Sequence, residues 1–180
     1  MVPRLRGDDA KGDGLAYEHT FVLINTLSPM TLSLSLPDLA ATAALAARLA
    51  PAVRRHDVLC LHGELGAGKT SFARALLHAL GVAEDVPSPT FTLVQSYETA
   101  AFPIYHFDLY RLKSGAELEE IGWDDALADG LTVVEWPERA ESFLPRDRLA
   151  LHFALAADGG RQVTAQAFGT WEPRLQGLAL

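Results

Sequence analysis

The sequence predicts an α/β fold with a largely parallel sheet and an antiparallel hairpin near one edge. Short apolar runs, typical of buried parallel strands, alternate with segments of helical character. A Gly-rich turn at residues 63–70 joins one of these runs to a helix. Near the C-terminal end, the alternating segments 147–155 and 161–168 flank AADGG, the pattern of a hairpin with a Gly-containing loop.

The first half of the chain supplies two predicted strands and two predicted helices. Residues 31–36 alternate strictly between polar and apolar, which predicts a half-buried strand. The Ala-rich segment that begins at Pro37 predicts a helix with proline in its first turn. Residues 57–63 form a short apolar run expected of a central strand, and residues 69–80 predict a helix that ends at Gly81.

The second half supplies the remaining elements ahead of the hairpin. Segments 91–98 and 103–112 read as strands, and the acidic segment 115–130 reads as short helices. Segment 131–138, LTVVEWPE, is another buried strand with an acid near its end. There are no internal repeats and no linker long enough to separate two domains. We therefore expect a flexible N-terminal extension at 1–29, one domain at 30–172 and a tail at 173–180.

Composition and charge exclude several classes of protein. The hydrophobic content of 49% and charged content of 21% are ordinary for a soluble globular domain. With a net charge of -8 and only three lysines, the chain shows no basic patch, which disfavours direct RNA binding. The single cysteine, Cys60, excludes an internal disulfide or zinc cluster. Without a long apolar run or a signal-peptide core, we expect no membrane association and a cytoplasmic location.

The strongest motif is a phosphate-binding loop that fits G-x-x-x-x-G-K-[ST]. Glycines let successive backbone N–H groups point inward as a nest for anionic oxygens, and the following helix adds the partial positive charge of its N-terminus. Lysine reaches the terminal phosphates, and the threonine hydroxyl can bind Mg²⁺. The nine residues predicted to bind nucleotide here are Gly63, Glu64, Leu65, Gly66, Ala67, Gly68, Lys69, Thr70 and Ser71.

Phosphoryl transfer also needs a carboxylate that holds metal, and two acids fit that need. Asp108 interrupts an otherwise apolar and aromatic strand, and Glu135 ends another. Ligands of open α/β sheets gather at the carboxyl ends of strands, so both acids are candidate neighbours of Mg²⁺. The alternative is a paired structural carboxylate, for example Asp108 with Arg111.

Two further groups of residues carry weaker signals. Ser88, Thr90 and Thr92 either respond to the γ-phosphate as a switch segment or belong to an ordinary turn and strand. Trp136 either stacks near the base or fills the core.

Two histidines flank the expected site. His62 precedes the loop and His106 lies two residues before Asp108. Structural histidines are more common than catalytic ones at such positions, and we expect both to be structural.

Taken together, these motifs resemble the TsaE family, formerly YjeE. The resemblance covers about residues 31–170 and is carried, in order, by LHGELGAGKTSFARALLHALG, SPTFTLVQSYE, YHFDLYRL, ELEEIGWDD and VVEWPERAESFLP. It implies a P-loop NTPase three-layer fold and an ATPase that uses ATP/ADP and Mg²⁺. It also implies partnership with TsaB and TsaD, which transfer threonylcarbamoyl to the adenosine beside the anticodon. Hydrolysis would support turnover of that complex, and tRNA would be met only indirectly through it.

The resemblance also assigns roles to single residues. Lys69 would hold phosphates, Thr70 and Glu135 would serve the Mg²⁺ site, and Asp108 would lie in the Walker-B-like position. These assignments make Lys69, Asp108 and Glu135 the catalytic candidates.

Other residues are implicated by the same resemblance. Thr90 would belong to the switch-like segment, Trp136 would lie near the nucleotide, and Arg161 would contact it from the C-terminal hairpin. Glu64 and Ser71 stand where the family often has Asp and Thr, which are conservative differences.

Two other functions stay open on sequence grounds. A small-molecule kinase would use the same loop, although such enzymes usually carry an arginine-rich lid. An assembly switch with negligible turnover is the second, although Glu135 argues for hydrolysis. The acidic segment 117–129 could meet a basic partner surface or could simply be a solvated helix face.

Overall fold

The computed structural model describes residues 29–178, so all but Pro29 of the expected N-terminal extension lies outside the described residues. Within this range the chain forms seven strands, five α-helices and two 3-10 segments, at Ala50–Ala52 and Pro137–Phe143. The elements are β1 Met30–Leu36, α1 Leu39–Leu49, β2 Val58–His62, α2 Lys69–Ala79, β3 Val94–Tyr97, β4 Ile104–Asp108, α3 Ala116–Glu120, α4 Trp123–Asp129, β5 Leu131–Glu135, β6 Arg148–Leu155, β7 Arg161–Phe168 and α5 Trp171–Gly177.

All seven strands belong to one sheet in the order β1-β7-β6-β2-β5-β4-β3. The core pairs β2–β5, β2–β6 and β4–β5 are parallel. Strands β6 and β7 form the antiparallel hairpin, and β1 and β3 close the two edges by antiparallel pairing. The predicted fold class, a mainly parallel sheet with an antiparallel C-terminal hairpin, is confirmed.

Helices cover both faces of the sheet, which makes three layers. On β2, Leu59 and Leu61 point into the larger core beneath α1, α2 and α5, while Val58 and Cys60 point to the other face. This alternation follows from the two-residue period of a strand. Burial raises the pKa of the Cys60 thiol to about 12, so this cysteine acts as a small apolar core residue. Within residues 29–178, no helix combines the length and apolarity needed to span a bilayer.

Strands β3, β4 and β5 are shorter than predicted. The backbone leaves the extended conformation at positions where the sequence is still apolar. Leu93 has a left-handed φ of 65°, so β3 begins only at Val94. Strand β4 ends at Asp108, and β5 ends at Glu135 because Trp136 adopts a left-handed φ of 58°. As a result, both candidate acids are the last residues of their strands.

The last helix, α5, was not predicted, and the expected domain end at residue 172 falls inside it. Trp171 and Leu175 are buried in the larger core. The Arg174 guanidinium lies 3.9 Å from the Trp171 ring and donates hydrogen bonds of 2.7 and 2.8 Å to the two carboxylate oxygens of Asp57. Because Asp57 directly precedes β2, this ion pair ties α5 to the central strand.

We expect Arg174→Ala to destabilise the fold by about 3 kcal/mol, because it leaves the Asp57 carboxylate buried without its partner. The side chains of Arg174 and Asp57 are only 8% and 10% exposed. Arg55→Ala is the matched control, since it removes an ion pair with Asp129 whose side chains are 52% and 47% exposed. Urea unfolding should show a much smaller loss for the control. Equal losses would show that the Arg174–Asp57 pair does not anchor α5.

Candidate nucleotide-binding site

The loop between β2 and α2 can be built only with glycine at its two ends. Gly63 has φ of +134°, and a Cβ there would lie 2.3 Å from the Phe153 carbonyl oxygen. Gly68, with φ of +111°, occupies the N-cap position of α2. Because glycine has no side chain to cap the helix, the first N–H groups of α2 can bind anionic oxygens at the loop.

Lys69 is held close to its own loop. Its Nζ donates hydrogen bonds of 2.6 and 3.0 Å to the carbonyl oxygens of Gly63 and Glu64 and lies 4.0 Å from the centre of the Trp136 ring. Burial lowers the pKa of Lys69, and the carboxylates of Glu135 and Asp108 oppose this shift. The ammonium therefore bonds to the loop backbone and lies within electrostatic range of the two acids.

The two acids lie side by side, because Asp108 and Glu135 are register partners in the parallel β4–β5 pair. Both are nearly inaccessible, at 3% and 2% exposure. Glu135 Oε2 accepts a 2.8 Å hydrogen bond from Thr70 Oγ1, and its Oε1 lies 3.0 Å from His106 Nε2. The carboxylate of Glu135 thus joins the first turn of α2 to the neighbouring strand.

Asp108 holds the hydroxyl-bearing segment. Its Oδ2 accepts hydrogen bonds from Thr90 Oγ1 at 2.5 Å and Ser88 Oγ at 3.2 Å, and its Oδ1 accepts one from the Tyr110 N–H. The hydroxyl of Thr92 instead faces the Pro89 carbonyl oxygen at 3.5 Å. Of the three hydroxyl side chains considered from the sequence, those of Ser88 and Thr90 therefore bond to Asp108, and that of Thr92 does not.

The alternative pairing of Asp108 with Arg111 is not found among residues 29–178. The Arg111 guanidinium stacks on the Phe91 ring, 4.5 Å from its centre. Phe91 itself is 82% exposed. The partners of Asp108 are therefore hydroxyls and a backbone N–H, which a ligand can displace at lower cost than a buried guanidinium.

One cavity of about 190 Å³ brings most of the predicted residues together. The ring of Trp136 packs on Tyr110 at 4.9 Å beside it. Of the predicted set, Gly63, Glu64 and Ala67 contribute only to the loop behind the cavity. The lining residues are Leu65, Gly66, Gly68, Lys69, Thr70, Ser71, Ser88, Thr90, Asp108, Glu135 and Trp136.

A larger neighbouring cavity of about 560 Å³ shares Gly66, Gly68 and Ser71 with the first. Arg161, at the start of β7, lines it and reaches the loop through a 3.5 Å contact between Nη2 and the Gly66 carbonyl oxygen. Sequence reasoning missed the opposite wall, residues 36–42, because only tertiary packing brings the start of α1 to the loop. The lining residues there are Leu36, Pro37, Asp38, Leu39, Ala40 and Thr42.

The two flanking histidines have different surroundings. The His62 ring stacks on His152 at 4.3 Å and lies 3.4 Å from the Glu138 carboxylate. His106 is fully buried and contacts Glu135. The position of His106 at the site could have been predicted from the sequence, because residues 106 and 108 lie on the same face of one strand.

These features first define a class: an α/β protein of the P-loop type, with acids at the ends of two strands beside the loop. The family model for the threonylcarbamoyl adenosine biosynthesis protein TsaE matches residues 36–163. The chain belongs to the TsaE family.

Individual relatives agree with this membership. A Bacillus subtilis protein named tRNA threonylcarbamoyladenosine biosynthesis protein TsaE is 39% identical over 129 residues, which cover 71% of this chain and 80% of the relative. A Rickettsia felis protein of the same name is 47% identical over 98 residues, covering 54% of this chain and 57% of the relative. The crystal structure of Bacillus subtilis YdiB superposes with a TM-score of 0.67 at 32% identity, covering 82% of this chain and 93% of that one.

The surroundings of His62 predict a pH effect on stability. Burial, and then the neighbouring His152, hold the pKa of His62 below its ordinary value of 6.5, against the raising effect of Glu138. The unfolded chain therefore takes up a proton first, so stability falls as the pH drops below about 6.5.

We expect His62→Gln to lose less stability than the parent protein between pH 7.5 and 5.5, as measured by urea unfolding midpoints. Titrating groups away from His62, His152 and Glu138 contribute equally to both proteins, so the difference isolates this cluster. An equal fall in both proteins would contradict the assignment.

Proposed function

We propose that the protein is the ATPase subunit of the bacterial tRNA threonylcarbamoyladenosine modification machinery, hydrolysing ATP to support turnover of the TsaB–TsaD complex. The observation that carries this proposal is the single cavity where the phosphate loop, Lys69, Thr70 and the two strand-end acids meet. Family membership and the printed names of the relatives supply the biological setting.

Phosphate binding would use the loop backbone and Lys69. The inward N–H groups of the loop and the N-terminus of α2 favour the negative charge of a polyphosphate. Lys69 Nζ, which already bonds two loop carbonyls, has a third proton to donate to a phosphate oxygen. Together these groups stabilise charge that develops during phosphoryl transfer.

The donor set fits Mg²⁺. This ion prefers hard oxygen ligands and is usually bound by one or two carboxylates together with water and phosphate oxygens. Thr70 and Glu135 would hold it, with Asp108 next to them in register. Among the described residues no group of three or more His, Cys, Asp or Glu side chains is placed to hold a metal ion. When bound, the ion would neutralise charge on the transferring phosphate.

Hydrolysis would depend on the two acids and their hydroxyl partners. Glu135 would organise either the metal or the attacking water. Ser88 and Thr90, bonded to Asp108, would respond to the γ-phosphate by exchanging one oxygen partner for another. The conformation of segment 88–92, and with it the protein surface, would thereby depend on the state of the bound nucleotide.

The larger cavity would hold the base and ribose. It shares Gly66, Gly68 and Ser71 with the phosphate cavity, and its volume of about 560 Å³ suits a nucleoside. Arg161 would hold this end of ATP from the hairpin. The predicted role of Arg161 thus gains a geometric basis.

Partner proteins would carry the RNA. The chain has a net charge of -8 and only three lysines, so it offers little attraction to phosphate backbones. TsaD and TsaB are the proposed partners, with tRNA met through them. The acidic side chains of Glu119, Glu120, Asp124 and Asp125 are exposed and free to face a basic surface of such a partner.

The proposal predicts separate effects for Lys69 and Glu135. Lys69→Ala should weaken ATP binding about 10- to 100-fold, because a charge-assisted hydrogen bond to phosphate is lost. Glu135→Gln should weaken MgATP binding only about 5- to 10-fold, because Mg²⁺ loses a carboxylate ligand, and should lower the hydrolysis rate about 100-fold or more. Both effects are measured with γ-labelled MgATP, by filter binding and by release of label.

The same label separates the alternatives when the protein is incubated alone, with small metabolites, and with TsaB and TsaD. Free labelled phosphate, stimulated by the partners, is the expected result. Label transferred to a metabolite would identify a small-molecule kinase and overturn the proposal. Normal hydrolysis by Glu135→Gln would remove Glu135 from the mechanism.

The nucleoside cavity is tested with Arg161→Ala. We expect about tenfold weaker binding of ATP but unchanged binding of inorganic triphosphate, measured by calorimetry. Arg148→Ala is the matched control, because Arg148 belongs to the same hairpin but stacks on Phe168 away from both cavities. Equal loss for ATP and triphosphate would place the Arg161 effect on the loop rather than on the nucleoside.

A further inference from the structure

His106 is a buried polar residue in contact with the candidate site but outside both cavities. It lies in the middle of β4 at 0% exposure. Its Nε2 is 3.0 Å from Glu135 Oε1. It lines neither of the two cavities of the candidate site.

The direction of this hydrogen bond follows from the chemistry of the two groups. An ionised carboxylate only accepts hydrogen bonds, so Nε2 of His106 must carry the hydrogen. Thr70 Oγ1 donates to the other oxygen of the same carboxylate. Glu135 is therefore held at both oxygens, from β4 on one side and from α2 on the other.

The other ring nitrogen shows why a histidine here is unusual. Nδ1 of His106 is buried and has no hydrogen-bond partner within residues 29–178. An unsatisfied buried polar atom costs free energy that an apolar side chain at the same place would avoid. Among the described residues, the imidazole makes its one hydrogen bond with Glu135.

We propose that His106 is a positioning residue for ATP hydrolysis: its Nε2–H fixes the Glu135 carboxylate so that Oε2 stays beside Thr70 at the phosphate loop. The inference rests on the proposed function in that Glu135 serves the metal or the attacking water. Without this hydrogen bond the Glu135 side chain can rotate away from Thr70. Phosphate binding by the loop and Lys69 does not involve His106 and should persist.

The geometry suggests a matched series of variants. In His106→Gln the amide nitrogen can reach the place of Nε2, while in His106→Asn it reaches only the place of Nδ1. His106→Leu removes the donor altogether. The Gln variant should therefore rescue function that the Asn and Leu variants lose, although Gln and Asn are chemically alike.

The first readout does not depend on turnover. ADP affinity is measured by calorimetry with and without Mg²⁺, which gives the gain in affinity due to the ion. In the Asn and Leu variants we expect the factor by which Mg²⁺ raises ADP affinity to be at least five times smaller than in the parent protein. Without Mg²⁺, the ADP affinity of these variants should lie within twofold of the parent value. The Gln variant should keep the gain within twofold.

The second readout is the split between kcat and KM in ATP hydrolysis with the partner proteins. Removing a residue that orients a metal ligand typically costs 10- to 100-fold. We expect kcat to fall by about this factor for Asn and Leu, with KM changed less than threefold. In the double variant with Glu135→Gln, His106→Asn should cost nothing further, because it acts through Glu135.

Ile104→Val separates positioning from general weakening of the strand. Ile104 lies two residues earlier on the same face of β4 and is fully buried, and its register partner on β5 is Leu131, four residues before Glu135. This variant should keep the full Mg²⁺ gain, with thermal unfolding confirming that every variant is folded. A loss in Ile104→Val equal to that in His106→Asn would overturn the inference.

The remaining outcomes are distinguishable. If the parent protein shows Mg²⁺-dependent ADP binding and the Asn and Leu variants keep it in full, only the role of His106 is overturned. If the parent protein shows no such gain, the proposed function falls and the inference falls with it.

Discussion

The structure depends on the parallel pairing of β5 between β2 and β4. Parallel strands end at the same edge, so this pairing brings Glu135, Asp108 and the start of the phosphate loop together without any long side-chain reach. The register sets Leu61 and Asp108 on either side of Glu135. A shift of β5 by one residue would turn Glu135 to the opposite face of the sheet, away from Asp108. The apolar flanks of these strands, which fix the register, are thus as important for the site as the polar residues.

Burying two carboxylates at this edge would be unfavourable without donors aimed at them. The donors come from three directions: Thr70 from α2, the hydroxyl segment from the β3 side, and His106 from β4 itself. Most of these donors are neutral groups rather than cations. The only nearby cation among the described side chains of the cavity is Lys69, whose Nζ bonds to loop carbonyls.

Much of this arrangement could be predicted from the sequence, because its signals are local. The phosphate loop is a spaced motif, and Asp108 and Glu135 interrupt apolar strands. The strand ends were harder, since Leu93 and Trp136 adopt left-handed backbone that is unusual for residues other than glycine. The ion pair of Arg174 with Asp57 joins residues 117 positions apart, and the wall of the larger cavity comes from α1. Such non-local contacts leave no pattern within a short window of sequence.

The strand order also constrains how the protein can fold during synthesis. Strand β2 leads directly into the phosphate loop, yet its two neighbours in the sheet, β5 and β6, leave the ribosome about 70 to 90 residues later. Arg174, which pairs with the carboxylate of Asp57, is synthesised later still. A nascent chain that has already exposed the entire loop therefore still lacks the strands that flank β2 and the acid at the end of β5. The proposed nucleotide site would be complete only when β5, the hairpin and α5 have joined the sheet around β2.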